Sequence, residues 1–228
     1  MKDSVRVLST LALKGAVARL AEAYQAASGV RIDADFAPTL ALLKRLRDGE
    51  AADLLVLTRE GLDEMIGEDC VAQESAVDLA RSYVGVAVKA GAVHPDIATE
   101  AALRAALLGA RAVAYSRLGA SGILFAQLIE RLGIVDAIDA RAVIIPMGFT
   151  AEKLVSGEAD LAIQQISELK QVDGIEVVGR IPQNLQTPAV FSAGRMTTSQ
   201  RAETADHLLR YLSSADVAPV LRETGLEP

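Results

Sequence analysis

The sequence is poor in the residues that most often announce a function. In 228 positions it has one cysteine, two histidines, no tryptophan and only 4% aromatic residues. A single cysteine, Cys70, excludes an internal disulfide framework and any CxxC metal knuckle. It follows the acidic run Gly67-Glu-Asp, whose charge raises a thiol pKa, so a reactive thiolate is not expected. His94 lies in a Gly/Pro turn and His207 in the last strongly amphipathic stretch. Neither has a second His, Cys or carboxylate at metal-ligand spacing, and no metal site is expected. Scarce aromatics leave few platforms on which bases could stack. There is no global positive field either, because 30 acidic residues outnumber 23 basic ones and the net charge is −7. Nucleic acid is therefore not an expected partner. The patterns GxSxG, GxGxxG and the Walker loop are absent, which removes the usual support for hydrolase, dinucleotide and NTPase functions; no cofactor is implied.

Long hydrophobic runs are also lacking. None approaches the roughly 18 apolar residues of a membrane span, so no direct membrane insertion is expected. The N-terminal stretch MKDSVRVLSTLALKGAVARLAEAY is broken by Arg6, Lys14 and Arg19 and does not read as a secretory signal. Two locations stay open: cytoplasmic as written, or periplasmic with a leader removed. What the chain does have is a hydrophobic fraction of 51% beside 23% charged residues. That is enough core for one large α/β unit or two lobes of about 100 residues each.

Short apolar strand candidates alternate with helical patterns, as in parallel sheets covered by helices. Ser4–Leu8 alternates like a strand, and Lys14–Ser28 has helical periodicity stopped by Gly29. Val30–Phe36, Asp53–Leu57 and Tyr83–Val88 read as further strands, and Thr39–Asp48 as a helix closed by Gly49. The second half repeats this grammar. Strands are expected at Ala112–Tyr115, Arg141–Ile145, Leu161–Ile166, Val177–Val178 and Ala189–Ala193. Helices are expected from Gly119 through Leu132, over Thr150–Ser156, and from about Ser199 to Leu212. No Pro/Gly/Ser linker separates independent domains, so two lobes would share the chain through crossing segments.

Three hydroxyl- or glycine-rich turns each fall between a strand and a helix: Leu8-Ser-Thr-Leu11, Ala37-Pro-Thr39 and Ser116-Arg-Leu-Gly-Ala-Ser-Gly122. Ligands of open α/β sheets sit at such junctions. The first N–H groups of a helix lack intrahelical partners and carry the positive end of the macrodipole, so an anion can be held there. The bland alternative is N-capping, which Ser and Thr perform without any ligand.

In their order and spacing, several segments together resemble the type II periplasmic binding proteins, in the branch around the molybdate-binding protein. They are VLSTLALKGAVARLAEAYQAASGV, FAPT, GEAADLLVLT, LGASGILFAQLIERLGI, LVSGEADLAIQQISEL, IPQNLQTPAVFSAG and YLSSADVAPVLRETGL. The resemblance covers nearly the whole chain. It implies a two-lobe α/β fold, each lobe a mixed sheet flanked by helices, joined by two crossing segments. One lobe would be residues 1–79 plus 189–228 and the other 80–188. A small anion would be clamped in the interlobe cleft by hinge closure. Motif by motif, the ligand donors fall on Ser9 and Thr10, on Thr39, on Ser116 and Ser121, and on the backbone near Met147.

The chain also departs from that branch. Gln165 stands where a Tyr is common, the first turn carries Lys14 one helical turn on, and the first crossing reads Ala80-Arg-Ser-Tyr83. Lys14, Arg81 and the Gln164 and Gln165 amides near the cleft point to a larger ligand with spaced carboxylates, which Arg grips bidentately, with Ser82 a further candidate; the alternatives are a solvated helix face for Lys14 and a structural ion pair for Arg81. Of the two adjacent glutamines, Gln165 is expected to face the ligand and Gln164 the helix layer. Three functions stay open. The first is a monomeric ABC-type substrate-binding protein for an oxyanion or a di- or tricarboxylate. The second follows from the STLALKG opening and the QQISEL segment, which resemble an aconitate isomerase variant of the fold; Lys14, Tyr115 and Ser116 are then the candidate proton carriers. The third, a ligand-sensing module, ranks last because no signalling segment is attached.

Overall fold

The computed structural model describes residues 4–228. Contacts divide the chain into two units, one running through Ser82 and resuming at Ala189–Pro228, the other Tyr83–Pro188. The first unit contains β1 (Ser4–Ser9), α1 (Lys14–Ser28), β2 (Arg31–Phe36), α2 (Thr39–Arg47), β3 (Leu54–Thr58), α3 (Arg59–Gly67) and β4 (Val77–Ser82). The second contains β5 (Val84–Lys89), α4 (Glu100–Gly109), β6 (Val113–Ser116), α5 (Ala120–Arg131), α6 (Val135–Asp139) and β7 (Ala142–Ile145). It ends with α7 (Glu152–Val155), β8 (Leu161–Gln165), α8 (Ile166–Leu169) and β9 (Ile175–Arg180). The chain then returns to the first unit for β10 (Ala189–Arg195), α9 (Ala202–Leu212) and α10 (Ala218–Glu223).

Each unit has one five-stranded mixed sheet, ordered β2-β1-β3-β10-β4 and β7-β6-β8-β5-β9. In both, three parallel strands meet an antiparallel pair. Strand alternation decides which helices cover which face. In the first unit, Val5, Val7, Leu54 and Val56 pack with α1 and α9. Their neighbours Leu8, Leu55 and Leu57 point the other way, onto α2 and α3. In the second unit, Val84, Val86, Tyr115 and Ile163 pack with α4 and α5. The opposite face is lined by Ala87, Ala114 and Ala162, beside Leu154 and Leu169 of α7 and α8. Small side chains there let two helices of one turn each lie close to the sheet.

Two expectations need correction. The single strand read at Tyr83–Val88 is preceded by a second strand, β4, because Val77–Ser82 pairs with β10 in the other sheet. The first unit accordingly runs through Ser82. The helix read at Thr150–Ser156 shrinks to α7, because Thr150 is drawn instead to Gln164.

Candidate functional site

In the first unit the chain leaves β1 toward β2 on one side, then crosses to β3 on the other. Helix α1 follows β1 on one face of the sheet and α3 follows β3 on the other, the switch-point arrangement at which ligands of open α/β sheets sit. Thr10 sits there, its N–H donating to the Val56 carbonyl at 3.0 Å. Beside it the Ala37 N–H donates to the Ser9 carbonyl at 3.1 Å, and two residues later Thr39 opens α2. These links bring Thr10 and Thr39 to one end of neighbouring parallel strands.

Capping accounts for some of the hydroxyls at helix starts and not for others. Thr58 accepts a hydrogen bond from the Gly61 N–H, and Thr99 one from the Ala102 N–H, so both are ordinary N-caps. No side chain caps the 3-10 turn that follows Thr10 (Leu11–Leu13), the start of α2 or the start of α5. These are the three turns singled out in the sequence. Thr10 is 4% exposed, and its Oγ1 is buried with no hydrogen-bond partner. An unsatisfied buried hydroxyl costs about 1–3 kcal/mol. Ser9 does not share that state; its hydroxyl donates to the Thr10 carbonyl at 3.1 Å. Lys14 is the exposed first residue of α1.

Arg81 and Ser82 lie apart from this pair. They end β4, the edge strand three spacings from β1, or about 14 Å at ~4.8 Å per strand. Arg81 is exposed and Ser82 buried, and the Arg81 main chain pairs with Glu227.

The second unit repeats the plan, with its switch point between β6 and β8. Ser116 ends β6 and is buried, its Oγ accepting from the Leu118 N–H at 3.3 Å. The chain then folds back so tightly that a Cβ on Gly122 would stand 1.6 Å from the Ser116 carbonyl oxygen. Glycine at this position sets the start of α5, where Ser121 is buried. Tyr115 points into the core against Phe125, and its hydroxyl donates to Asp139 at 2.9 Å. Burial pushes its phenol above the ordinary range, which makes it a poor base near neutral pH.

Beyond β7, Met147 is exposed on the loop to α7. Gln164 anchors that loop. Its Oε1 accepts from the Thr150 N–H at 2.8 Å, and its Nε2 donates to the Gly148 carbonyl at 3.0 Å. Gln165 is on the opposite strand face, the one that α5 covers. It forms a capping box with Glu168, whose carboxylate accepts from the Gln165 N–H at 3.3 Å. The return contact from the Gln165 side chain is the weak half of that box: Oε1 is buried with no partner in full hydrogen-bond geometry.

A family profile described as bacterial extracellular solute-binding protein matches residues 5–227. The chain belongs to that family. This solute-binding protein is 36% identical over 231 residues to an aconitate isomerase from Pseudomonas sp, covering 99% of this chain and 88% of the relative. Its fold is that of the type II periplasmic binding proteins. The periplasmic molybdate-binding protein of Azotobacter vinelandii superposes with a TM-score of 0.83 at 16% identity, over 98% of this chain and 99% of that one. A sulfate-binding protein from Mycobacterium tuberculosis gives 0.79 at 16% identity, over 99% and 87%.

One group in this solute-binding protein escaped the sequence analysis. Glu168 is 8% exposed, and burial pushes its carboxyl up to about 8, against the opposing effect of hydrogen bonds from the Gln165 main chain and the Gln164 side chain. The spacing Gln165-x-x-Glu168 is a capping-box pattern and could have flagged the turn. Its burial could not be foreseen, because it depends on Gly85. A Cβ at Gly85 would stand 2.7 Å from Ile166 Cγ1 and 2.9 Å from the Gly179 carbonyl oxygen, so only glycine lets α8 settle on β5.

Proposed function

We propose that this solute-binding protein takes the unsaturated tricarboxylate aconitate as its ligand and interconverts the cis and trans forms. The likeness to an aconitate isomerase over 99% of the chain carries this reading. The site chemistry supports it. A chain of net charge −7 needs local donors to hold a polyanion. The first unit has them in the Thr10 and Thr39 hydroxyls and its uncapped helix starts, and the second unit has them in Ser121, the start of α5 and the Gln165 amide. Lys14 adds a full positive charge one turn beyond Thr10.

The reaction itself is an allylic proton shift. A proton leaves the methylene carbon, its electron pair becomes the new double bond, and the former π pair takes a proton at the far carbon. Negative charge spreads onto the adjoining carboxylate on the way, and oriented N–H and hydroxyl donors stabilise it. Lys14 and Ser116 are the candidate proton carriers; Tyr115, tied to Asp139, is not one.

A second reading, binding alone for delivery to an ABC importer, is favoured by the superpositions on molybdate- and sulfate-binding proteins. Thermal unfolding with a ligand panel separates ligand classes, since only what binds the native state raises Tm. Cis- and trans-aconitate are expected to raise Tm, with molybdate and sulfate inert. Stabilisation by an oxyanion and none by aconitate would overturn the proposal.

A further inference from the structure

Glu168 stands beneath two of the three loops that leave the parallel strands of the second unit. Through the Gln165 main chain it holds the turn from β8 into α8. Gln164, one residue before that turn, grips the loop after β7 through the Gly148 carbonyl and the Thr150 N–H and hydroxyl. Next to it Gln165 Oε1 is buried without a full partner, although the residue is only 2% exposed. A buried amide left so is poised to reorient toward a ligand.

We propose that Glu168 is a positioning residue for anion binding: its uncharged carboxyl holds the turn from β8 into α8, beside the loop that Gln164 grips, in the receiving arrangement, and its ionisation sets an uncompensated negative charge beneath them and expels the ligand. This rests on the reading of the chain as an aconitate binder.

Among the described residues, no cation acts on Glu168. Helix α8 packs on β5, β8 and β9, whose charged residues are Lys89, Glu176 and Arg180, with Lys170 following α8 itself. Lys89 Nζ reaches the Val155 carbonyl, Glu176 is held by His94 and the Gly91 N–H, and Arg180 stacks on the Tyr83 ring at 4.1 Å. The perturbation of Glu168 comes from burial and hydrogen bonding, with no contribution from a neighbouring charge. Its proton is therefore retained near neutral pH and lost in mildly alkaline solution. A bound polyanion opposes that loss, so binding must take up a proton above neutrality.

The test is a titration of cis-aconitate into the full chain between about pH 7 and pH 9, above the range in which carboxylates of the ligand ionise. Affinity is expected to fall about tenfold across that window, the equivalent of one pKa unit of coupling. At about pH 8, heats in two buffers of different ionisation enthalpy should report proton uptake. Glu168→Gln, which stays neutral throughout, should flatten the profile and abolish the uptake. An unchanged slope in that variant, or no uptake by the wild type, overturns the proposal while leaving aconitate binding intact. If the variant does not fold, the wild-type uptake measurement decides alone. Failure of the wild type to bind cis-aconitate at any pH is a different result, and it removes the underlying reading together with this one.

Discussion

Thr10 and Thr58 end neighbouring strands of one sheet, yet their hydroxyls are used in opposite ways. Thr58 satisfies the Gly61 N–H, whereas Thr10 Oγ1 is buried with nothing to bond. Removing a cap costs about 0.5–2 kcal/mol, so Thr58→Ala should lower stability in urea unfolding by that amount and leave ligand affinity alone. Thr10→Val removes an orphaned polar atom at nearly constant shape, so it should cost no stability. It should weaken aconitate binding by about three- to tenfold, one hydrogen bond in worth. A loss of stability in Thr10→Val without loss of affinity would make Thr10 structural. The sequence could not tell the two apart, since each is a hydroxyl between a strand and a helix. Only the path of the following turn decides whether an N–H reaches back to it. Glu168 was illegible for a related reason, because a glutamate three residues into a short helix normally faces water.

At the scale of the element, two glycines set where helices can start. Gly122 is wedged against the Ser116 carbonyl oxygen, with no room for even a methyl group. Gly122→Ala should therefore displace the start of α5 and cost about 3 kcal/mol or more, read as a lower urea midpoint. Gly119→Ala is the control: it is three residues away with φ −98° and nothing within 4 Å of an added Cβ. That change should alter stability by less than about 1 kcal/mol. Elements with strong local punctuation were legible. Helix α1 runs over Lys14–Ser28 as its periodicity predicts, and Gly29 ends it at φ 74°. Elements fixed by pairing were not. β4 mixes Val77 and Leu79 with Asp78, Arg81 and Ser82, so no apolar run announces it, and only its pairing with β10 makes it a strand. Helices α3 and α4 went unread too, the first following β3 with no loop between.

At the scale of the whole molecule, the second half of the chain repeats the plan of the first. Each unit sets three parallel strands in a 2-1-3 order beside an antiparallel pair, and each presents an uncapped helix start at its switch point. The repeated strand-helix grammar was visible in the sequence, and so was the mixed-sheet fold through its resemblance to the type II binding proteins. Arg81 and Ser82 belong to β4 through its pairing with β10, a long-range contact that no local signal in the sequence marks. The reacting chemistry was not visible at this scale, since a binding protein and an isomerase can share one fold. The most direct test is a proton NMR time course of cis-aconitate in D2O with a catalytic amount of the full chain. Growth of the trans vinyl signal above a no-protein control is expected, until both forms reach equilibrium. A trace that stays flat while cis-aconitate is bound would contradict the proposed isomerisation, and would leave a protein that holds its ligand without transforming it.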